Sequence, residues 1–370
     1  MTKNLSIYVH IPFCESKCIY CAFSSFVPKN EQISNYFETL NKEIEKNSKK
    51  FSDRVVQTIY FGGGTPSVVD QKFICQTLLT IRQNFVVDNG AEITIECNPN
   101  SATKEKLEAY FCAGFNRLSF GVQSLCDEEL KFLNRRHDKK TAINAIETAK
   151  KIGFKNVNAD LLIGLRTQTK QTFETEMREL LDAGVTHISS YMLMVENKTP
   201  LKKLRNKQNF LLSDDECVDL YEHIVSFLKQ KGFDRYEISN FSPFGFECKH
   251  NLCYWTGGEY LGFGVAAHSY VNKKRIANTQ SFDQYLLQKN HHKTRIVTHT
   301  EQKEEFIMLA LRTREGIDLK EFERLFGEDL LKEKRAEIEE LKDFVEIKDF
   351  HLKIKESEFG KSNLIILKLL

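Results

Sequence analysis

Three cysteines lie within eight residues near the start of the chain, in the stretch IYVHIPFCESKCIYCAF (7–23). Cys14, Cys18 and Cys21 follow a run of β-branched residues, so the pattern predicts thiols gathered at the end of a strand. Three thiolates at this spacing could bind either one zinc ion or one iron–sulfur cluster.

Two features of the sequence bear on that choice. Structural zinc sites usually pair two short cysteine motifs, and the sequence has no second Cys-x2-Cys. Ferredoxins use Cys-x2-Cys-x2-Cys with a fourth cysteine and a proline nearby, which is also absent. The Cys-x3-Cys-x2-Cys spacing therefore favours three ligands of a four-iron cluster, with the fourth iron open to another ligand.

Runs that are typical of strands alternate with helical patterns over the first half of the chain. Regular alternation of this kind predicts an α/β fold with a parallel sheet, either open or closed into a barrel. Gly114, Gly153 and Gly184 each come shortly before the next strand and are typical helix stop signals. The predicted strands are 6–12, 55–61, 91–97, 117–123, 156–163 and 187–195, and the clearest helices are 32–51, 103–114 and 139–153.

Four of the six predicted strands carry polar residues on one face. A parallel sheet covered by helices on both faces would be apolar throughout. A barrel with helices outside and a polar, ligand-filled lumen explains the pattern most simply. The second strand does not fit the pattern cleanly, and the sixth fits it only in part. The polar positions are Tyr8, His10, Glu92, Thr94, Glu96, Arg117, Ser119, Gln123, Asn156, Asn158 and Asp160.

Further candidate residues fall at the C-terminal ends of the strands, where active sites of such barrels gather. The glycines of FGGGTPS (61–67) would let the backbone approach a ligand closely, and its N–H groups could hold a carboxylate. Glu96 ends the third strand, where a carboxylate could bind ribose hydroxyls. Gln123, Arg135 and Asp160 lie at or just beyond later strand ends. Each residue alone could be an ordinary hydrogen-bonded polar side chain, but together they favour a ligand site.

The cysteine spacing after a first strand resembles the radical S-adenosylmethionine (SAM) superfamily, whose fold is a partial (β/α)6 barrel. The resemblance implies a [4Fe–4S] cluster on the three cysteines, with SAM chelating the open iron. An electron from the cluster cleaves SAM in that superfamily, so the cofactor supplies the radical chemistry. Tyr20 matches the aromatic position against adenine. The implied metal ligands are Cys14, Cys18 and Cys21, and the implied SAM-binding residues are Tyr8, Tyr20, Gly63, Gly64, Thr65, Glu96, Gln123, Arg135 and Asp160.

Longer motifs resemble one branch of the superfamily, namely YVHIPFC, GGGTPS, ECNP, GVQS, LNRRHD, ADLLIGL, YEISNF and HNLCYW. This branch contains oxygen-independent coproporphyrinogen III dehydrogenase, an enzyme of porphyrin biosynthesis, and the HemW-type haem chaperones. Phe23 stands where the dehydrogenase has a further cysteine, and only thirteen residues precede Cys14. HNLCYW (250–255) matches the HNxxYW signature of the chaperones. The resemblance therefore implies a protein that binds haem and transfers it to acceptor haemoproteins, with the dehydrogenase as the alternative.

The HNLCYW stretch supplies the candidate haem ligand. His250 offers an imidazole as an axial ligand, and Tyr254 with Trp255 offers flat apolar surface. The alternative is a buried aromatic corner around a hydrogen-bonded histidine. Cys248 and Cys253 flank the histidine and are expected in the core, with a thiolate ligand as a lesser option. His268 and Cys253 are the next ligand positions to test.

The rest of the chain predicts an α+β region. The segment 259–270 predicts a glycine-rich turn and a strand against the barrel, and residues after 300 predict helices followed by a hairpin. The latter resembles the winged-helix-like C-terminal module of this branch. Its acidic and basic residues are balanced, so we expect no nucleic-acid partner. The predicted divisions are 1–198 for the barrel, 199–299 for a linker (196–209) and the HNxxYW region, and 300–370 for the winged-helix-like module.

Composition sets the remaining expectations. The formal net charge is +2, and no segment suits a signal peptide or a membrane span, so we expect a cytoplasmic protein with reduced thiols. A peripheral position at the inner membrane would suit haem delivery to acceptors of the respiratory chain. The resemblance also implies an electron donor for the cluster and is compatible with a homodimer.

Overall fold

The computed structural model describes residues 3–197, 199–205, 210–288 and 292–370. Its first part alternates strands and helices as the sequence predicts, and neighbouring strands pair in parallel in chain order. The elements are β1 (Lys3–Ile11), α1 (Asn30–Ser48), β2 (Arg54–Gly63), α2 (Gln71–Asn84), β3 (Val86–Cys97), α3 (Lys104–Ala113), β4 (Arg117–Gln123), α4 (Asp127–Phe132), α5 (Lys139–Ile152), β5 (Asn156–Ile163), α6 (Lys170–Asp182) and β6 (His187–Met192).

Helix α5 illustrates how local sequence sets these elements. The Asp138 side chain accepts a hydrogen bond from the Thr141 backbone N–H at 2.8 Å and caps the helix N-terminus. Ala142, Ala145, Ile146 and Ala149 recur at helical spacing and form its buried face. Gly153 follows with a φ of +120°, a left-handed conformation that glycine adopts at little cost. The helix therefore ends here, and β5 follows.

The two faces of the six-stranded part differ as predicted. The face toward the helices is apolar and buried, for example at Ile7, Val9, Ile59 and Phe61. The inner face carries the polar side chains of the predicted lumen, and the α/β partial (β/α)6 barrel is confirmed. The second strand also contributes to this face, because Thr58 and Tyr60 alternate with the buried Ile59 and Phe61.

The middle of the chain extends the sheet at both edges. Strand β9 pairs in parallel with β1, and β8 pairs antiparallel with β6, which gives a twelve-stranded sheet within the described residues. The strand expected in 259–270 is therefore present as β9. The elements are α7 (Pro200–Arg205), α8 (Asp214–Gln230), β7 (Asp234–Arg235), β8 (Asn240–Ser242), α9 (Lys249–Trp255), β9 (Tyr260–Phe263), β10 (His268–Val271), β11 (Lys274–Asn278), α10 (Phe282–Leu286) and β12 (His292–Ile296).

The predicted linker at 196–209 contains helix α7. Residue 198, at the predicted boundary of the barrel, and residues 206–209 lie outside the described part of the chain.

The last part of the chain packs around an apolar cluster of its own. This cluster includes Leu311, Phe322, Leu352 and Ile366, and the hairpin expected after the helices is formed by β14 and β15. The winged-helix likeness and the division at 198, 299 and 370 stay predictions. The elements are α11 (His299–Ala310), β13 (Ile317–Asp318), α12 (Leu319–Phe326), α13 (Leu330–Glu333), α14 (Arg335–Glu340), β14 (Val345–Lys348), β15 (His351–Ile354) and α15 (Ser362–Leu369).

Over the described ranges, no helix combines the length and the apolar character that crossing a membrane requires.

Candidate functional site

The three cysteines lie on a loop that leaves the C-terminal end of β1 and returns beside it. The Cys14 N–H donates to the Phe26 carbonyl at 3.0 Å, and the Phe26 N–H donates to the Pro12 carbonyl at 2.9 Å. Within the loop, the Lys17 ammonium donates to the Phe23 carbonyl at 2.8 Å. These bonds close the loop at its base and hold its middle together, so that the cysteines stay at one end of the barrel.

Two of the cysteine side chains contact residues that follow β2 and α4. All ten cysteines of the chain are free thiols. Thr65 Oγ1 donates to Cys14 Sγ at 3.7 Å, and Arg135 Nη1 donates to Cys18 Sγ at 3.5 Å. Burial raises the pKa of the Cys21 thiol, and the nearby Cys18 and Cys14 raise it further.

This arrangement can be compared with the needs of a metal group. Among the residues that the structure describes, no three His, Cys, Asp or Glu side chains converge on one point as a single metal ion would require. A four-iron cluster binds each thiolate through a different iron, so its ligands need not converge. The shared loop and the Cys-x3-Cys-x2-Cys spacing of the three thiols suit such a cluster.

The glycine-rich loop after β2 lies directly against the start of the cysteine loop. The Gly64 N–H donates to the Ile11 carbonyl and the Thr65 N–H to the Phe13 carbonyl, both at 2.7 Å. Gly63 has a φ of +113°, and a Cβ there would come within 2.4 Å of the His10 ring. A Cβ at Gly64 would come within 2.6 Å of the Phe13 carbonyl, so glycine is required where the two loops meet.

Glu96 lies next to the C-terminal residue of β3, on the polar face of the sheet. Its carboxylate accepts hydrogen bonds from the Tyr60 hydroxyl at 2.9 Å and the Gly63 N–H at 3.0 Å. Burial raises the pKa of Glu96 to about 7, and the nearby Asp160 carboxylate adds to the rise. The Tyr60 hydrogen bond works in the opposite direction.

Asp160 provides the second carboxyl of the lumen. It accepts hydrogen bonds from Asn158 Nδ2 at 2.8 Å and from the Ser119 hydroxyl at 3.4 Å. Burial raises its pKa. Two neighbouring acceptors in an enclosed space suit a ligand that donates hydroxyl hydrogens.

Arg135 joins the cysteine loop to the ends of β3 and β4. Besides its bond to Cys18, its guanidinium donates to Asn98 Oδ1 at 3.1 Å and closely to the Gly121 carbonyl. Gln123 ends β4 with a φ of +73°, and a Cβ at Gly121 would lie 3.1 Å from its amide nitrogen and 3.2 Å from an Arg135 nitrogen. Gln123 and Arg135 therefore meet at one place.

The two tyrosines of the predicted set have different surroundings. The Tyr8 hydroxyl shares a hydrogen bond with His10 Nδ1 at 3.0 Å, and its ring stacks on Tyr60 at 6.3 Å between centroids. Tyr20 lies on the cysteine loop and packs on a small apolar cluster that includes Leu133 and Leu162. Tyr20 thus lies at the end of the barrel that carries the cysteines, and Tyr8 lies beside Tyr60 farther into the lumen.

His250 does not lie at the cysteine end of the barrel. Its Nδ1 shares a hydrogen bond with Thr58 Oγ1 at 2.7 Å, and its backbone N–H donates to the Glu92 carboxylate at 3.0 Å. Thr58 and Glu92 come four residues before Gly62 and Glu96, which is about 13 Å along a strand. Helix α9 therefore closes the barrel toward the N-terminal ends of the strands, away from the cysteines.

The surroundings of His250 are those of a buried structural histidine. Its side chain is only 1% exposed, and Nε2 shares a hydrogen bond with the Tyr254 hydroxyl at 2.9 Å. Burial, and then the Arg117 cation, lowers the pKa of His250 to about 3, so the ring is neutral. Both ring nitrogens have partners, so ligation of haem iron by His250 would require breaking one of these bonds. The buried aromatic corner weighed for this stretch matches the observed geometry.

The structure also describes the surroundings of the other candidate haem ligands, Cys248, Cys253 and His268. Burial raises the pKa of Cys248 to about 12, so this core residue is a thiol at neutral pH. Cys253 donates to the Glu259 carbonyl at 3.8 Å. His268 is exposed on β10, and Trp255 is half-buried at the end of α9.

Sequence reasoning missed two residues that organise the site. Tyr60 binds Glu96 through its hydroxyl and stacks on His250 at 5.0 Å between ring centroids. Asn98 Oδ1 accepts from Arg135 and shares a hydrogen bond with His137 at 3.2 Å. The available signals were the alternation of Tyr60 with Ile59 and the position of Asn98 at a strand end.

Comparisons with known proteins agree with this geometry. Residues 8–180 match the profile of the Radical SAM superfamily, and residues 297–355 match the HemN C-terminal domain. The chain is 35% identical over 332 residues to heme chaperone HemW of Bacillus subtilis (strain 168), which covers 88% of each chain. The chain belongs to the HemW family of radical SAM proteins. The HemW of Lactococcus lactis is 32% identical over 330 residues, covering 88% of this chain and 86% of that protein.

A solved structure supports the fold of this HemW-family chain. Coproporphyrinogen III oxidase (HemN) of Escherichia coli, a radical SAM enzyme, aligns with a TM-score of 0.86 at 23% identity. The alignment covers 99% of this chain and 90% of that one. The likeness shows a shared fold. Membership of the radical SAM superfamily implies a [4Fe–4S] cluster and SAM.

Proposed function

We propose that this chain binds haem and delivers it to acceptor haemoproteins. The observation that carries the proposal is its identity with curated haem chaperones over 88% of the chain. That span is too long to cover the barrel alone, so the likeness includes much of the region after it.

The cluster and SAM take the C-terminal end of the barrel in this proposal. Cys14, Cys18 and Cys21 hold the [4Fe–4S] cluster, which when loaded supplies the electron for SAM cleavage. We place the methionyl part of SAM beside the loop after β2, where Gly63 and Gly64 lie next to the cysteine loop. Glu96 and Asp160 accept hydrogen bonds from its hydroxyl groups, and Arg135 places positive charge beside the Cys18 thiolate.

Four further residues complete the proposed SAM site. Tyr20 packs against the adenine, and Tyr8 and Gln123 line the lumen. Thr65 orients Cys14 through its hydroxyl.

The runner-up is oxidative decarboxylation of coproporphyrinogen III. The motifs shared with that enzyme favour it, as does the overall fold. Phe23 argues against it, because the enzyme branch has a further cysteine there and Phe23 is a 70% exposed side chain.

Several partners go with the proposal. An electron donor reduces the cluster, and the acceptors include haemoproteins of the respiratory chain. We place the protein in the cytoplasm, with contact to the inner membrane during delivery, as a monomer or homodimer that does not bind nucleic acid.

One experiment separates the two functions. The protein is loaded with its cluster under anaerobic conditions and then titrated with haem. Haem binding is monitored through the porphyrin absorbance at roughly 400 nm. In parallel, coproporphyrinogen III is incubated with the protein, SAM and a reductant. We expect haem binding, transfer of haem to an added apo-haemoprotein, and unchanged coproporphyrinogen. Conversion of coproporphyrinogen to the vinyl product would overturn the proposal, as would failure to bind haem.

A further inference from the structure

A groove of about 420 Å³ lies between the end of α9, the strands β9–β11 and the C-terminal helices. We call it the aromatic groove. One wall carries Tyr254, Tyr260 and Tyr270, and the other carries Phe306, Leu325 and Phe326. Its volume lies in the range of small-molecule sites, and such sites often form where two packed units meet.

Two basic residues lie along the same groove. The Arg275 guanidinium is 5.2 Å from the centroid of the Tyr270 ring and pairs with Glu305 at 2.8 Å. Lys273 sits in the turn between β10 and β11, where Asn272 and Lys273 have φ values of +51° and +57°. For the part of the chain that the structure describes, no hydrogen bond or ion pair engages the Lys273 ammonium. It is therefore available to an anionic ligand.

The HNLCYW stretch reaches the groove through Tyr254. The Tyr254 hydroxyl is held by His250 Nε2, and its ring meets Tyr260 edge-on at 4.7 Å between centroids. His250 thus fixes a wall of the groove from behind while itself remaining buried. This explains how the stretch could serve haem binding although its histidine lacks a free nitrogen.

We propose that the aromatic groove binds haem, with the macrocycle between the two aromatic walls and the propionates at Lys273 and Arg275. The inference rests on the proposed haem-carrier function. Haem is a largely apolar ring with two carboxylates, and aromatic side chains beside two cations complement that chemistry. The groove also carries the carboxylates Glu259 and Glu305, and each of them is ion-paired, with Arg54 and Arg275 respectively.

The test is a haem titration of the full, cluster-loaded chain, and haem binding is monitored by absorbance. Leu325→Trp fills the groove from a side chain that is 45% exposed, so folding should tolerate it. Leu364→Trp, at a 71% exposed position on α15, is its control. Lys273→Glu reverses the charge at the groove, and Lys274→Glu at the adjacent position is its control.

We expect Leu325→Trp to raise the haem Kd about tenfold or more and Lys273→Glu to raise it about fivefold. The two controls should stay within about twofold of the unchanged chain. If the unchanged chain binds haem and both groove variants bind it equally well, the groove assignment is wrong and the carrier function stands. If the unchanged chain binds no haem, both proposals are wrong. Circular dichroism of each variant establishes whether it is folded. If Leu325→Trp does not fold, the haem affinity of Lys273→Glu alone tests the groove assignment.

Discussion

Glu96 titrates near neutral pH, so SAM binding should depend on pH through this carboxyl. Burial raises its pKa to about 7, and Asp160 adds to the rise. Only the ionised form accepts hydrogen bonds with both oxygens. The proposed contribution to SAM binding is thus present above the pKa and is lost as the pH falls through it.

The size of the effect follows from the titration. With a pKa of about 7, the ionised fraction rises from about one tenth at pH 6 to about nine tenths at pH 8. The affinity for SAM should rise by up to about tenfold over this range, or about 1.4 kcal/mol. Isothermal titration calorimetry on cluster-loaded protein at pH 6, 7 and 8 measures it.

Two variants separate Glu96 from other titrating groups. Glu96→Gln should weaken SAM binding at pH 8 by about 1.5–3 kcal/mol, the range for hydrogen bonds to charged groups. It should retain only the pH dependence that comes from SAM itself. Tyr60→Phe removes a hydrogen bond that lowers the pKa of Glu96, so the midpoint should move to higher pH. Equal pH dependence in Glu96→Gln and the unchanged chain would refute the reasoning.

Three further predictions concern the cluster, a buried carboxyl and the aromatic corner. Replacing any one of the three cluster cysteines by Ala should abolish the broad visible absorption, and full iron and sulfide content in all three variants would contradict the assignment. Burial, and then the nearby Glu129 carboxylate, raises the pKa of Glu176 to about 7. The protonated Glu176 carboxyl therefore stabilises the folded chain fully below the pKa that Glu176 has in the unfolded chain, and this stabilisation is lost as the pH rises through 7. Glu176→Gln should therefore raise the free energy of unfolding more at pH 8 than at pH 5, by up to about 3 kcal/mol in urea titrations, with the ion-paired Glu179→Gln as control. His250→Ala should lower that free energy by about 2–4 kcal/mol, because it leaves the Thr58 and Tyr254 hydroxyls without their partner, and unchanged stability would contradict the buried role.

The barrel could be predicted from sequence because its signals are local. Alternating polar and apolar residues mark each strand, and glycines such as Gly153 end the helices between them. The second strand was the exception. The pairing of β2 with β3 shifts register between Val56 and Thr58, and such an irregularity changes which residues share a face. The alternation at the start of the strand, with its two valines, therefore did not predict that Thr58 and Tyr60 share the polar face.

The position of α9 could not be predicted in this way. Thr58 and His250 are separated by 192 residues, and nothing local to either one indicates that they meet. The strands that bring α9 into place are short, with three residues in β8 and four in β9. Such segments carry little periodicity, so only their pairing with the edges of the barrel defines them.

The geometry also bears on the choice between a haem carrier and a decarboxylase. A decarboxylase must bring a propionate carbon to the radical that SAM generates, so its tetrapyrrole and SAM share one space. Here Tyr60 stands between the two ends of the lumen, with its hydroxyl on Glu96 and its ring on His250. Beyond His250 comes Tyr254, which lines the aromatic groove. A tetrapyrrole in that groove would be separated from the proposed SAM site by the packed rings of Tyr60, His250 and Tyr254. Binding in the aromatic groove would therefore suit a carrier rather than a decarboxylase.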